Sequence, residues 1–216
     1  GVSPILLDDM SSGFNIISHV SQQDQFSAMA GFTRAEVERA TDEFLAGKPH
    51  LVADPRIADR AALIDAMERH YNGYRFSRGA PERMFNSDLV LYFLRQLENT
   101  GRYPEQMLDL NVRTDYSRLQ RVAMLSGAAG EEQRSLLEAV LTTEHVTSAI
   151  VEQFGSRNIQ SREQLVSLFY YMGMLTFGSP TPDRSAPELV IPNRVIRELQ
   201  WDRASNRAPC RVGRLW

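Results

Sequence analysis

The strongest constraint on the fold is a series of amphipathic helical segments with recognisable start signals. Thr33 can cap a helix N-terminus, and Glu36 stands at the third helical position, where it completes a capping box. Phe32 and Val37 have the spacing of a hydrophobic staple across that start. The sequence therefore predicts a helix over 33–46.

The same apolar spacing continues through much of the chain. Further helices are predicted over 57–71, 87–99, 115–125, 130–142, from Ser161 to Gly173, and 193–201. Residues 145–151 are β-branched enough for a strand, with a helix as the alternative. Two apolar segments, 174–177 and 188–191, flank a polar loop and predict a β-hairpin.

This order predicts a mainly α fold with a small β-hairpin. We expect a multi-helical region over 32–142 and a winged-helix-like module over 143–201, because strand, helix, hairpin and helix follow one another there. The tail 202–216 carries four arginines without periodicity, and we expect it to be disordered.

Composition excludes several classes of function. The 24 Lys+Arg against 27 Asp+Glu give a net charge of −3, which argues against a protein built mainly to neutralise nucleic-acid phosphates. The single cysteine, Cys210, excludes a disulfide framework and a cysteine-based zinc site. No apolar run approaches the roughly 20 residues of a membrane span. We expect a cytoplasmic protein with no membrane partner and no metal site.

The sequence contains no phosphate-binding loop. Gly47-Lys48 lacks the upstream glycine of that pattern, and the glycines of 127–130 lack a lysine. Asp8 and Asp9 follow the apolar residues 5–7, as in a strand whose acids hold Mg²⁺, but Pro4 and the missing loop favour a turn. No spacing of nucleophile, base and acid indicates a catalytic site, and none is predicted.

Two groups of residues have both a functional and a structural interpretation. Tyr74 and Arg75, within the aromatic cluster 71–76, could stack on a nucleotide base, or the cluster could end a helix and pack on the core. Composition favours packing. Arg194 and Arg197 could contact nucleic-acid phosphates, although a solvated charged face is the favoured interpretation.

Four motifs resemble those of a known family and occur in the same order along the chain. They are GVSPILLDDMSSGFNI at 1–16, GFTRAEV at 31–37, YNGYRF at 71–76 and FNSDLVLYFL at 85–94. Together they resemble the bacterial AAA-ATPase-like family, P-loop ATPases that often carry a PD-(D/E)XK nuclease-like domain. The resemblance is strong over about 1–100, and weaker pieces at 173–197 extend it.

The resemblance implies a longer parent protein whose N-terminal core binds ATP and Mg²⁺. We expect this chain to begin after the phosphate-binding and acidic motifs, so that 1–31 is the residual edge of that core and 32–142 a helical lid. The chain itself would need no cofactor. Residues implied to lie near the nucleotide are Ser3, Asp8, Asp9, Tyr74 and Arg75.

The function expected from the resemblance is coupling rather than catalysis. In the parent, the lid would link nucleotide state to partner contact, and the isolated chain would be inactive. Its partners would be the ATPase core, and a nuclease-like domain or another protein. The alternative is a non-enzymatic module that binds DNA or protein.

Overall fold

A computed structural model describes residues 20, 22–108, 135–136, 139–140, 142–151, 161–179 and 186–205, and no side chain after Leu199. This part of the chain is mainly helical with a small antiparallel sheet, which confirms the predicted mainly α class. The predicted helix 115–125, most of 130–142, and residues 206–216 of the predicted tail 202–216 lie outside the described residues. So do Ser3, Asp8 and Asp9.

The first helix begins where the sequence predicts. α1 (Arg34–Ala46) follows Thr33, whose hydroxyl accepts a hydrogen bond from the Glu36 backbone N–H at 3.2 Å. The Thr33 backbone N–H donates to Glu36 Oε2 at 2.8 Å, which completes the capping box. Val37 is fully buried, and Phe32 packs against the same cluster.

The predicted helix 57–71 is divided into two. After α2 (Pro49–Val52), a short α3 (Pro55–Ala58) is followed by α4 (Arg60–Tyr71). Asp59 between them is non-helical, with φ −75° and ψ 86°, and its carboxylate accepts a hydrogen bond from the Ala62 backbone N–H at 3.0 Å. The break therefore follows from an N-cap aspartate that starts a new helix.

α5 (Ser87–Thr100) lies close to its predicted bounds. Asn86 caps its start by accepting from the Leu89 backbone N–H at 3.1 Å, and Gly101, with φ 63°, follows its end. Together α1, α4 and α5 enclose the helical core, named here for the following buried residues: Val37, Leu51, Ile57, Leu63, Ile64, Ala66, Met67, Tyr71, Phe85, Leu89, Val90, Phe93, Leu94, Leu97 and Val195.

The C-terminal elements form a sheet with helices packed on it. They are β1 (His145–Thr147), α6 (Arg162–Tyr171), β2 (Thr176–Phe177), β3 (Glu188–Val190) and α7 (Arg194–Ser205). The strand order is β1-β3-β2, both pairings are antiparallel, and Leu189 stands opposite both Val146 and Phe177. The predicted hairpin is confirmed, the strand over 145–151 is shorter than predicted, and α7 extends four residues past 201.

The sheet and α6 enclose the sheet core, named here for the following buried residues: Leu136, Val140, Val146, Leu165, Val166, Leu168, Phe169, Tyr170, Met174, Leu175, Phe177, Leu189, Ile191 and Ile196. α7 contributes to both cores, because Val195 is buried in the helical core while Ile196 is buried in the sheet core. It also packs directly on α4.

The two halves of the chain approach each other closely at Gly73. This residue follows α4 with φ +123°, a conformation that favours glycine. A Cβ at this position would lie 1.8 Å from the carbonyl oxygen of Pro192, just before α7. The absence of a side chain at Gly73 therefore lets the end of α4 meet the segment between β3 and α7.

The capping box gives a first stability prediction. Thr33→Ala removes the acceptor for the Glu36 N–H and should lower the free energy of unfolding by about 1 kcal/mol, measured by urea denaturation at pH 7. Thr33→Ser keeps the hydroxyl and should lose much less. Hydrogen bonds from Thr33 lower the pKa of Glu36, so its contribution holds above about pH 4.3 and is lost as the pH falls through the lower folded pKa. Equal losses for both Thr33 variants would contradict this.

The contact at Gly73 gives a second prediction. Gly73→Ala should lower the free energy of unfolding by about 3 kcal/mol, because a Cβ collides with the Pro192 backbone at a φ unfavourable for alanine. Gly101→Ala is the matched control, since Gly101 also has a positive φ but no atom within 4 Å of the added Cβ. It should cost only about 1 kcal/mol. Similar costs would show that the close approach is unimportant.

Candidate functional site

Three of the four motifs that carry the resemblance meet in space. Phe32 and Phe85 form an antiparallel pair: the Phe32 nitrogen lies 3.0 Å from the Phe85 carbonyl oxygen, and the Phe85 nitrogen lies 2.7 Å from the Phe32 carbonyl oxygen. Tyr74 and Met84 form a second pair, at 3.1 Å and 2.7 Å. The Asn86 backbone N–H also donates to the Tyr71 carbonyl at 2.9 Å. We name residues 31–33, 71–76 and 84–86 the motif junction.

The glycine of the GFT motif is required by this pairing. Gly31 has φ +86°, and a Cβ there would lie 2.5 Å from the Phe85 carbonyl oxygen. A side chain at this position would therefore collide with the backbone that pairs with Phe32. The motif glycine thus has a packing explanation that needs no ligand.

The aromatic residues of the YNGYRF motif are part of the interior. Tyr71 is fully buried, stands edge-to-face with Phe93 at 6.1 Å between ring centroids, and has a pKa raised by burial. Tyr74 is 5% exposed and stacks on Phe76 at 6.0 Å. This is the packing interpretation of the cluster, with Asn72 at the helix end.

Two tyrosine hydroxyls connect the motif junction to the sheet core. Tyr74 donates to the Gly173 carbonyl oxygen at 3.3 Å, and Tyr170 of α6 donates to the Phe76 carbonyl oxygen at 2.9 Å. Burial raises the pKa of Tyr170, so its hydroxyl stays protonated and remains a donor at neutral pH. The bonds run in opposite directions across one contact, which fixes the register of the two segments.

Arg75 lies along the edge of β2. Its backbone N–H donates to Thr176 Oγ1 at 2.7 Å, and that hydroxyl donates to the Arg75 carbonyl at 2.9 Å. The guanidinium Nη1 donates to the Gly178 carbonyl oxygen at 2.8 Å. The Thr176 side chain therefore holds the Arg75 backbone beside β2, while the Arg75 side chain is half-buried.

Both arginines for which nucleic-acid contact was the less favoured interpretation form ion pairs with acids. Arg194 pairs with Glu198 one turn further along α7 at 2.7 Å, and Arg197 pairs with Glu144 at 2.6 Å. Both arginines are exposed. The described surface of α7 is thus a mixed charged face rather than a basic one.

An open cleft of about 340 Å³ lies between the end of α4, the segment 105–108 and α7. Its lining combines apolar Met107 and Leu199 with polar His70 and Glu105, and Arg194 stands in the same lining. The Nδ1 atom of His70 lies 2.7 Å from the Ala66 carbonyl oxygen of its own helix. The lining of the cleft therefore combines apolar, acidic and basic side chains.

Sequence reasoning did not single out Arg83 or Thr176, which both act on Arg75 in the structure. Thr176 and Arg75 are 101 residues apart, so no local pattern could link them. Arg83 lies just before the FNS motif, and no local sequence pattern links it to Arg75.

Comparison with known proteins adds no assignment: no family model, curated protein or solved structure matches the chain. Within the described residues, no group of three or more His, Cys, Asp or Glu side chains is arranged to hold a metal ion. Over the same residues, no helix combines the length and apolar character that crossing a membrane demands.

Proposed function

We propose that the chain is the helical lid and winged-helix-like region of an AAA-ATPase-like protein. In the full-length parent it couples the nucleotide state of an ATPase core to contact with a partner, and it is not catalytic alone. ATP and Mg²⁺ belong to the core of the parent.

The observation that carries this proposal is the convergence of the motifs at 31–37, 71–76 and 85–94. These motifs are separated by up to about 50 residues, yet their backbones pair directly. Motifs that are distant in sequence but adjacent in space are typical of a common tertiary structure, because each segment constrains the others. This supports a shared fold as the basis of the resemblance.

The same contacts provide a physical means of coupling. The motif junction touches the helical core through Tyr71 and the sheet core through Tyr74 and Arg75. A displacement of one core is therefore transmitted by hydrogen bonds and packed backbone to the other. In the parent, closure of the lid on a nucleotide would move the winged-helix-like region as well.

The order of elements also supports a winged-helix-like arrangement. A helical stretch at 142–143 precedes β1, then α6, and then the β2–β3 hairpin, with β3 in the centre of the sheet. In modules of this kind the helix before the hairpin is the one that would enter a DNA groove. Here residues 165–170 of α6 are all buried, partly under the motif junction.

This burial favours a protein partner over DNA for the non-enzymatic alternative. The buried residues 165–170 cannot read base edges, which leaves only the start of α6 exposed, at Arg162 and Glu163. The arginines of α7 are interspersed with acids. The mixed charge suits contact with another protein surface, where both signs find complementary groups.

The catalytic part of the proposal is tested by ATP turnover. The purified 216-residue chain with ATP and Mg²⁺ should release no more inorganic phosphate than a protein-free control, because no phosphate-binding loop is present. A colorimetric phosphate assay measures this. Turnover proportional to the chain concentration, and retained through a second purification step, would refute the proposal.

The DNA alternative is tested by mobility shift. At low salt the chain should not shift duplex DNA, and Arg194→Gln combined with Arg197→Gln should leave that result unchanged. A shift that weakens with salt and disappears in the double variant would restore the DNA-binding interpretation. A shift that the double variant retains would place DNA contact elsewhere on the chain.

A further inference from the structure

Arg75 of the motif junction and the neighbouring Arg83 oppose each other, and the proposed function uses neither guanidinium group. Tyr74 and Met84 form an antiparallel pair with hydrogen bonds in both directions. In such a pair, the neighbouring residues Arg75 and Arg83 stand opposite each other and point to the other face. Burial agrees with this alternation, since Tyr74 and Met84 are buried, Arg75 is half-buried and Arg83 is exposed.

This placement brings two positive charges close to each other. Like charges directly opposite each other across a strand pair are destabilising. Burial, and then the charge of Arg83, hold the pKa of Arg75 below its usual value. Among the described residues, no carboxylate forms an ion pair with either arginine: neither Glu82, adjacent to Arg83, nor Glu188, which packs against Gly178, does so.

Arg75 is also positioned rather than mobile. Its backbone is held at both polar groups by the Thr176 hydroxyl, and its Nη1 is held by the Gly178 carbonyl. The Nε atom of the same guanidinium is buried without a hydrogen-bond partner. The hydroxyl of Ser77, two residues further along the same segment, is fully buried and also lacks a partner.

Buried donors without partners are rare in folded proteins and call for an explanation. One side of the Arg75 guanidinium is held by a carbonyl, and a second guanidinium lies nearby. Such a pair is suited to bind an anion that presents several negatively charged oxygens. A tetrahedral oxyanion would neutralise both guanidinium groups and remove their mutual repulsion.

We infer that Arg75 and Arg83 bind a phosphate group at the face of the motif junction opposite Tyr74 and Met84. The phosphate can belong to a nucleotide or be free inorganic phosphate. If the phosphate belongs to a nucleotide, the inference rests on the proposed function and extends it. A nucleotide phosphate would then contact the motif junction, which links the two cores.

The test uses the full 216-residue chain and measures its melting temperature in inorganic phosphate against chloride at equal ionic strength. Phosphate should raise the melting temperature of the wild type. Arg83→Gln should bind phosphate about tenfold more weakly or worse in calorimetric titration, because one of two charged contacts is lost. Without phosphate, the same variant should melt at a higher temperature than the wild type, since the repulsion is gone.

Arg95→Gln is the matched control, because Arg95 is an exposed arginine on α5 without an ion pair among the described residues. It should change neither the phosphate response nor the melting temperature by a comparable amount. Arg75→Lys keeps the charge but not the fork, and it should also weaken binding while retaining the helical circular dichroism signal.

The source of the phosphate is separated by titrating ATP and adenosine in parallel. Tighter binding of ATP than of inorganic phosphate, lost in Arg83→Gln, assigns the site to a nucleotide, and equal binding assigns it to free phosphate. No response to either ligand, an unchanged response in Arg83→Gln, or adenosine binding as tight as ATP would overturn the inference. These outcomes are independent of ATP turnover, so the proposed function can fail while the site stands.

Discussion

The close approach of the Gly73 backbone to Pro192 is the contact on which the rest of the structure depends. It brings the end of α4 to within van der Waals distance of the segment that leads into α7. Next to that approach, Tyr74 donates to the Gly173 carbonyl and the Arg75 backbone is held by Thr176 of β2. A missing side chain therefore organises the packing of two hydrophobic cores, because only a bare backbone allows the two chains so near each other.

The motif junction shows how residues that resemble functional motifs can serve structure first. Gly31 and Gly73 are explained by backbone collisions that a side chain would cause, and Tyr71 by its place in the helical core. Arg75 is the exception, because packing accounts for only part of its guanidinium. Arg75 has more hydrogen-bond donors than the fold satisfies. In a chain without catalytic motifs, such a side chain is a good candidate for binding a ligand.

Local structure was largely predictable from the sequence, and long-range pairing was not. Helix ends can be predicted from residues that act within a single turn, through side-chain hydrogen bonds or backbone conformation. Here these residues are Thr33, Glu36, Asn86 and Gly101. The division at Asp59 was missed because the apolar spacing of 57–71 runs through it, although an aspartate that caps a helix is visible in the sequence. The hairpin was found because its two apolar strands flank a polar loop.

The candidate site was only half predictable for the same physical reason. Arg75 was singled out because it belongs to a distinctive motif, whereas Arg83 and Thr176 acquire their meaning from partners 8 and 101 residues away along the chain. Arg194 and Arg197 carry the right charge for nucleic acid, but Glu198 and Glu144 decide their surroundings. Charge can be counted in a sequence, while its compensation depends on tertiary contacts.

The position of α7 has a consequence for how such a chain can evolve. Consecutive residues, Val195 and Ile196, enter different cores, so this one helix completes both. Moving the sheet half into another protein would remove α7 from the helical core. A gene fusion placed before α7 would expose both cores to water. The two halves are therefore expected to be inherited as one unit, with new partners added at the ends of the chain rather than between them.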